Sequence, residues 1–388
     1  MLVAPAALGK LSISRIEVFS VRLPALRDFT IAGGAVATAG QTMARVLVRI
    51  EADGGVGWGE ATPTPSWTYE TTESITSTIR NYLAPALIGH AVWDLDGAHR
   101  IMNRAISAGY TTGSPIAKAG IDLALHDLVG RALGVSVGQL WGQRRVDSIP
   151  LNWIVSAKQP ERAAAEAGEG LNAGYSAFKI KVGLAAVEAE VERVAAVRAA
   201  APSAPIWVDA NQGYLVPDAI KLARLLEPLG VSVLEQPIRA NDPVGSARVR
   251  SVSPIPIAID ESLVHPVDLA TYARLDAIDL AVAKVQRSAG LYYSRRLSML
   301  AEDLGIGVIG SGLTDSALGF AASLHLFAAT GMQEPADLNG PQFLQSTYTK
   351  QDWQPVVDGR AAVPTGAGLG VDVDEDAVRD LARRTDSA

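Results

Sequence analysis

The sequence has no cysteine, no apolar run long enough to cross a bilayer and no cluster of basic residues. The first absence excludes disulfides, thiolate zinc sites and cysteine nucleophiles together. The second argues against a membrane-spanning helix. The third argues against a nucleic-acid or membrane-surface partner, because the net charge of −7 is spread along the chain. We therefore expect no nucleic-acid partner and no membrane partner.

The start of the chain also lacks the basic residues that precede the apolar core of a signal peptide. We interpret residues 1–10 as a frayed leader and expect the protein to be cytoplasmic. What the chain does have is 388 residues with a hydrophobic content of 48%. That is enough for a large core and for two or three domains.

Five short apolar runs in the middle of the chain each end at a charged residue, and the segments between them have helical spacing. The runs cover residues 176–181, 206–209, 231–235, 257–260 and 278–284. Their repeat of roughly 25 residues indicates parallel strands that alternate with helices. Further strands are predicted at 149–154, 306–310 and, more weakly, 335–338. Eight such units predict an α/β fold of the (β/α) barrel type.

The charged residues at the ends of these strands should meet at one rim of the barrel, where such barrels carry out their chemistry. They are Lys179, Lys181, Asp209, Glu235, Asp260 and Lys284. Three carboxylates without Cys or His suit a hard cation, magnesium before manganese. A partly desolvated lysine beside a cation and a second lysine can act as a base. A single acidic residue at such a position is more often a helix N-cap, but the set in register favours a catalytic site.

Outside the barrel, residues 12–60 alternate as a three-stranded antiparallel meander, with loops predicted to be mobile at 28–34 and 62–69. Helices are predicted at 72–87, 94–108 and 114–133. We therefore divide the chain into an N-terminal α+β capping domain, a catalytic barrel and a C-terminal segment that packs back on the capping domain. Their predicted bounds are 12–140, 148–350 and 352–388.

In their order along the chain, these residues resemble the motifs of the enolase superfamily, specifically the mandelate racemase and muconate lactonizing enzyme family, over nearly the whole sequence. The motifs are Lys179-Ile180-Lys181, Asp209-Ala210-Asn211, Glu235-Gln236-Pro237, Asp260-Glu261-Ser262, Lys284 and a tail similar to the family's Pro-Gly-Leu-Gly, with Ala367 where the family has Pro. The resemblance implies a modified TIM barrel beneath the capping domain. It also implies removal of the proton alpha to a carboxylate through an enediolate that Mg²⁺ stabilises, with Mn²⁺ as a substitute.

The resemblance also assigns roles to the charged residues. It implies Asp209, Glu235 and Asp260 as metal ligands, Lys181 and Lys284 as acid/base residues on opposite faces, and Lys179 as a neutralising neighbour. Mandelate-type members have a His base after the seventh strand, but here that strand leads into residues 310–315, which contain no His, and His325 in the following helix is expected to be structural. With Lys284 on the sixth strand, the chain resembles the muconate lactonizing subgroup. That subgroup includes cycloisomerases, racemases and epimerases of acylated amino acids and dipeptides, and o-succinylbenzoate synthases.

Two departures from the subgroup affect the expected substrate pocket. Asp315 stands where the subgroup usually has Glu, and residues 285–290 do not end in two glycines. Dipeptide epimerases of the subgroup hold the substrate ammonium with two Asp residues, whereas here Asn339 replaces the second, after Asp337. The predicted substrate contacts are Phe29, Trp67, Tyr69, Asn211, Ser311, Asp315, Asp337 and Asn339.

We therefore expect a homo-oligomeric isomerase of a small-molecule carboxylate, either a muconate-like cycloisomerase or a racemase or epimerase of an N-acyl amino acid. A syn-dehydratase of the o-succinylbenzoate synthase type and a dipeptide epimerase are the alternatives among enzymes. A binding protein that kept the barrel but lost activity is the alternative outside them. The complete set of charged residues argues against that last possibility.

Overall fold

The computed structural model describes residues 11–53, 55–109, 112–142 and 145–386. The predicted leader, residues 1–10, lies outside these ranges. Within them, no helix is both long and apolar enough to cross a membrane. The chain forms a mixed α/β structure in which a curled parallel sheet lies beneath an N-terminal layer of antiparallel strands and helices, as the sequence predicts.

The N-terminal strands are β1 (Ile13–Pro24), β2 (Phe29–Ile31), β3 (Gly34–Ala37), β4 (Thr42–Ala52) and β5 (Gly55–Ala61). Strands β1, β4 and β5 form the predicted antiparallel meander. Residues 28–34 were predicted as a mobile loop, but β2 and β3 pair as a hairpin there, and the mobility of this segment stays a prediction. The hairpin is ordered by burial of Phe29 and Ile31, which are 4% and 3% exposed.

The helices of this layer are α1 (Thr72–Thr78), α2 (Ala84–Leu87), α3 (Leu95–Ala105), α4 (Pro115–Leu133) and α5 (Val137–Leu140). A π-helical turn, Ile79–Leu83, joins α1 to α2, so the helix predicted at 72–87 is continuous but not uniform. Helix α4 packs directly on β5 through glycines. A Cβ on Gly59 would lie 2.1 Å from the Gly120 carbonyl oxygen, so only glycine allows this approach.

The next strands along the chain are β6 (Ser148–Pro150), β7 (Asn152–Val155), β8 (Ala177–Lys181), β9 (Ile206–Asp209), β10 (Val233–Glu235), β11 (Ile257–Ile259), β12 (Leu280–Ala283) and β13 (Gly307–Gly310). Strands β7 to β13 form one parallel sheet in sequence order. The helices around it are α6 (Pro160–Asn172), α7 (Val187–Ala200), α8 (Val216–Leu226) with a 3₁₀ turn (Glu227–Leu229), α9 (Pro243–Arg250), α10 (Pro266–Arg274), α11 (Leu291–Asp303), α12 (Ala317–Thr330) and α13 (Gly340–Phe343).

Two predicted strands differ from expectation. The run at 149–154 divides, because the Leu151 amide donates to the Gly359 carbonyl rather than to a barrel neighbour, and only β7 joins the parallel sheet. The weak eighth strand is reduced to two parallel bridges, Leu151 with Ala336 and Ser311 with Asp337. These bridges contact both ends of the sheet, so they close the barrel between β13 and the start of β7.

The C-terminal residues form β14 (Val356–Val357), β15 (Arg360–Ala362) and α14 (Glu375–Asp386). Strand β15 pairs with β6 beside the barrel. Helix α14 packs on β1, where Glu375 lies 3.2 Å from Arg49 of the neighbouring strand β4. The predicted three-domain division remains a prediction, since part of this C-terminal segment contacts the barrel and part contacts the N-terminal sheet.

Candidate active site

The charged residues predicted at the strand ends lie side by side because of the register of the parallel sheet. Lys181 of β8 pairs with Asp209 of β9, which pairs with Glu235 of β10. Asp260 and Lys284 come directly after β11 and β12, at the same edge of the sheet. Side chains two residues apart on a strand point to the same face, so Lys179 shares the barrel interior with Lys181.

Lys179 lies at the centre of the carboxylates. Its Nζ is 3.0 Å from Asp209 Oδ2, 2.7 Å from Glu235 Oε2 and 2.7 Å from Asp337 Oδ2. Burial alone lowers the pKa of Lys179, but the surrounding carboxylates raise it well above its usual value. Lys179 therefore remains an ammonium and fits the neutralising role that the sequence predicts.

The two predicted acid/base lysines are each paired with a different carboxylate. Lys181 Nζ lies 2.7 Å from Asp209 Oδ2, and Lys284 Nζ lies 2.6 Å from Asp260 Oδ2. Burial raises the pKa of Asp209, but Lys179 and Lys181 outweigh it and hold the pKa below its usual range. Burial, together with Asp209, raises the pKa of Glu235 well above its usual value.

The carboxylates at the strand ends have the chemistry of ligands for a divalent cation. Within the described residues, no three acidic or His side chains are spaced so that they could hold a metal ion as they stand. However, Glu235 Oε1 is buried without a hydrogen-bond donor, while Oε2 lies 2.7 Å from Lys179 Nζ, and the unpaired Oε1 is costly unless a cation or another donor binds it. Asp209, Glu235 and Asp260 are all fully buried and offer only oxygen. This donor set fits a hard divalent cation, and enzymes of the family that this chain resembles generally use a divalent metal.

A narrow pocket lies above this charged layer, with a cavity volume of about 30 Å³. Lys181 and Lys284 line it from the barrel, together with Asn211, Asp337 and Asn339. Phe29, Ile31 and Val36 of the β2–β3 hairpin, and Thr64 and Trp67 of the following loop, line it from the N-terminal layer. The Trp67 ring lies 4.4 Å from Lys284 Nζ, and the Phe29 ring lies 5.8 Å from Lys181 Nζ.

Three predicted substrate contacts lie elsewhere. Tyr69 is 60% exposed and does not line this pocket. Ser311 is fully buried, with its Oγ donating to Asp337 Oδ2 at 3.4 Å. Asp315 is turned toward the N-terminal layer, where its Oδ1 accepts a hydrogen bond from Thr62 Oγ1 at 3.0 Å. It lines a separate cavity behind the pocket wall.

Sequence reasoning missed two residues that hold the site in place. Arg287 Nη1 lies 2.5 Å from Asp260 Oδ1 and also binds the Asp260 carbonyl, so it fixes that carboxylate. The sequence feature that could have indicated Arg287 is the segment 285–290, which departs from the subgroup pattern. Glu70 accepts hydrogen bonds from the Ile116 and Ala117 amides at the start of α4 and thereby anchors the loop that carries Trp67. No local pattern indicates that pairing.

Comparison with known proteins agrees with this geometry. The family model described as "Enolase C-terminal domain-like" matches residues 162–377, and the mandelate racemase / muconate lactonizing enzyme N-terminal domain matches residues 15–142. A chloromuconate cycloisomerase from Cupriavidus necator is 34% identical over 343 residues, which cover 87% of this chain and 91% of that protein.

Two further similarities cover almost the whole chain. An N-succinyl-L-Arg/Lys racemase from Bacillus cereus is 30% identical over 375 residues, which are 96% of this chain and 98% of that protein. The crystal structure of a muconate lactonizing enzyme from Pseudomonas fluorescens, complexed with muconolactone, has a TM-score of 0.89 at 30% identity and covers 96% of this chain and 99% of that one. The chain is an isomerase of the enolase superfamily and belongs to the mandelate racemase and muconate lactonizing enzyme family, in its muconate lactonizing subgroup.

Proposed function

We propose that this isomerase removes the proton alpha to a substrate carboxylate with Lys181 or Lys284, with Mg²⁺ held by Asp209, Glu235 and Asp260. The observation that carries the proposal is that both lysines line one pocket. They come from the second and the sixth strand of the barrel, which lie across the barrel from each other. A substrate between them presents opposite faces of its alpha carbon to the two Nζ atoms.

The bound cation would supply the positive charge that stabilises the enediolate, which a lone ammonium could not do adequately. The chain's own residues provide the other requirements. One lysine takes the alpha proton at Nζ while the opposite lysine, as an ammonium, can return one. Phe29 and Trp67 cover the pocket from the N-terminal layer and exclude water, which strengthens the charge interactions inside.

Two asparagines that line the pocket, Asn211 and Asn339, favour a substrate that carries an N–H group. Asn211 Nδ2 donates to Glu261 Oε1 and Asn339 Nδ2 donates to Asp337 Oδ1, so the amide oxygens of both residues are left to accept. Both oxygens are buried without a donor. The amide N–H of an N-acyl amino acid can supply one, whereas a muconate dianion has no donor.

A dipeptide is less well matched, because its ammonium needs free carboxylate oxygens. Asp337 Oδ2 already lies 2.7 Å from Lys179 Nζ, and Asp337 Oδ1 accepts from Asn339. We therefore propose racemisation of an N-acyl amino acid as the activity. The second candidate is a muconate-type cycloisomerase, which the 34% identity to a chloromuconate cycloisomerase favours.

The test is a screen in deuterated water with Mg²⁺ and three probes: N-succinyl-L-lysine, cis,cis-muconate and L-Ala-L-Glu. We expect N-succinyl-L-lysine to acquire deuterium at its alpha carbon and to racemise with the highest kcat/KM. Faster lactone formation from muconate would establish the second candidate instead. Asn339→Asp is the matched variant, since it restores a second carboxylate and should shift preference toward the dipeptide. Retention of the original preference in that variant would contradict the role given to Asn339.

A further inference from the structure

One wall of the pocket has a backbone conformation that its sequence disfavours. Gly312, Leu313 and Thr314 follow strand β13 and line the pocket. Thr314 has a φ of 59°, in the left-handed region. A β-branched residue rarely adopts this conformation, because its side chain crowds the backbone there. Such a residue stays in place only when its surroundings hold it, so contacts from outside the turn must fix this wall.

Those contacts come from Arg45 on strand β4 of the N-terminal layer. Its side chain is 1% exposed, and its Nη2 donates a hydrogen bond to the Thr314 carbonyl oxygen. Its Nε lies 3.3 Å from Glu60 Oε1 on the neighbouring strand β5. Because the guanidinium is planar, these two contacts fix the direction in which the Thr314 carbonyl points.

Glu60 and Asp315 secure the rest of the turn. The Glu60 carboxylate accepts hydrogen bonds from the Ser316 and Gly319 amides, so it caps helix α12 where the turn ends. The Leu313 amide donates to Asp315 Oδ2 at 3.3 Å. A Cβ on Gly312 would lie 2.6 Å from that same oxygen, so the turn packs tightly over the carboxylate.

We propose that Arg45 is a positioning residue that holds Thr314 in its left-handed conformation and so sets the shape of the pocket wall and the preference among carboxylate substrates. Arg45 does not line the pocket, so it acts on the wall indirectly, through the Thr314 carbonyl and through Glu60. The part of the inference that concerns preference rests on the proposed function, whereas the coupling between Arg45 and Thr314 does not.

The first test measures that coupling without any substrate. Arg45→Lys keeps the charge but cannot bind Glu60 and the Thr314 carbonyl with a planar fork. Thr314→Gly removes the side chain that makes the turn unfavourable. We expect T314G to raise the melting temperature in the original chain and to raise it less in the R45K chain, where the turn has relaxed. If T314G raised the melting temperature by the same amount in both chains, so that the effects of the two substitutions simply added, the inference would be overturned.

The second test measures activity with Mg²⁺, N-succinyl-L-lysine and cis,cis-muconate. We expect R45K to lower kcat/KM at least about tenfold, mainly through KM, and to change the ratio between the two substrates. T314G should recover part of this loss, because glycine adopts the turn without help. A loss in kcat alone, with no recovery, would show that Arg45 only supports the fold. R49K is the matched control, since Arg49 lies on the same strand but pairs with Glu17 and Glu375 away from the pocket.

Two outcomes separate this inference from the proposed function. In the first outcome, the melting-temperature changes caused by R45K and T314G are not additive and neither probe is turned over. This would overturn the proposed function while supporting the link between Arg45 and Thr314. In the second outcome, a probe is turned over and the two melting-temperature changes are additive. This would support the proposed function and overturn the link between Arg45 and Thr314. If R45K is too unstable to assay, the comparison of the original chain, R45K, T314G and the double variant is repeated with D315N present in all four proteins. D315N removes one of the two buried carboxylates beside Arg45.

Discussion

The barrel rim and the N-terminal layer contribute to the pocket in different ways. The rim supplies charge: Lys179, Asp209, Glu235 and Asp260 are each 0% exposed. Lys179 lies at ion-pair distance from Asp209 and Glu235, and Lys284 lies at ion-pair distance from Asp260. The N-terminal layer supplies shape, through Phe29 and Trp67 at the pocket and through Arg45 behind it. This difference suggests that the rim determines which reaction occurs and the layer above determines which molecule undergoes it.

The largest expected effect tests the rim. Asp209→Asn, Glu235→Gln and Asp260→Asn should each lower kcat/KM at least about a thousandfold, because each removes a proposed metal ligand and with it several kcal/mol of transition-state stabilisation. Treatment with a chelator should abolish turnover reversibly. Activity and Mg²⁺ binding by calorimetry are the measurements. Full activity in a metal-free sample would eliminate the proposed metal site.

Asp279→Asn provides the control for these variants. Asp279 also lies beside a barrel strand, but near its start, where Asp279 Oδ1 accepts a hydrogen bond from Arg250 and Oδ2 accepts one from the Ile257 amide. Loss of its charge should lower stability and leave Mg²⁺ affinity unchanged. If D279N and D209N had the same effect on activity, the carboxylates at the catalytic rim would have no special role.

The next effect separates the two sides of the rim. Lys181→Ala and Lys284→Ala should each lower racemisation about a hundredfold to ten-thousandfold, the usual contribution of a positioned acid or base. Each variant should still exchange the alpha proton of one enantiomer, since the remaining lysine faces one side of the carbon. Proton NMR of each enantiomer in deuterated water measures this. Normal turnover by K284A would favour elimination with a single base and a passive cation.

The rim was predictable from sequence because each residue's position follows from local order. An apolar run ends, a charge follows, and the parallel register of β8, β9 and β10 brings Lys181, Asp209 and Glu235 together. The barrel, the meander and the family were predicted and are confirmed. The same reasoning misjudged β6, which pairs with the distant strand β15 instead of the barrel sheet.

The pocket wall and its supports were not predictable, because they depend on contacts between residues far apart in the chain. Arg45 contacts Thr314, and Glu70 binds the start of α4, yet neither pairing leaves a local pattern. Asp315 was predicted as a substrate contact because it stands where the subgroup usually has Glu. Its short side chain binds Thr62 instead, so motif position alone gave no guide to its direction.

A moderate effect tests the N-terminal layer. Trp67→Ala should lower kcat/KM between about twofold and thirtyfold and change the order of substrate preference, because the ring lies 4.4 Å from Lys284 Nζ and such contacts contribute about 0.5–2 kcal/mol. Mg²⁺ affinity should not change. Trp93→Ala is the control, since Trp93 lies in the same layer but is 40% exposed. Lower stability of W67A with unchanged preference would make Trp67 a packing residue only.

The smallest effect concerns the junction behind the pocket wall. Burial raises the pKa of Asp315 to about 7, with Glu60 adding to the shift and Arg45 opposing it. Between its unfolded value of 3.8 and about 7, the folded chain holds a proton that the unfolded chain has released. This group therefore makes the folded state less stable as pH rises through that window, by up to about 1.4 kcal/mol per pH unit, and has no further effect above it.

Asp315→Asn removes this dependence while keeping the size of the side chain. From pH 5 to pH 7 the original chain should therefore lose stability relative to D315N. The difference in their unfolding free energies should increase over this range and become constant by about pH 8. Chemical denaturation at each pH measures it. Burial also raises the pKa values of Glu70 and Glu261 to about 7, but both groups are present in both chains and cancel in the difference. Asp352→Asn, at an exposed acid, is the control. A difference that stays constant from pH 5 to pH 8 would mean that Asp315 remains ionised beside Arg45, and the junction would then be a permanent ion pair rather than a titrating one.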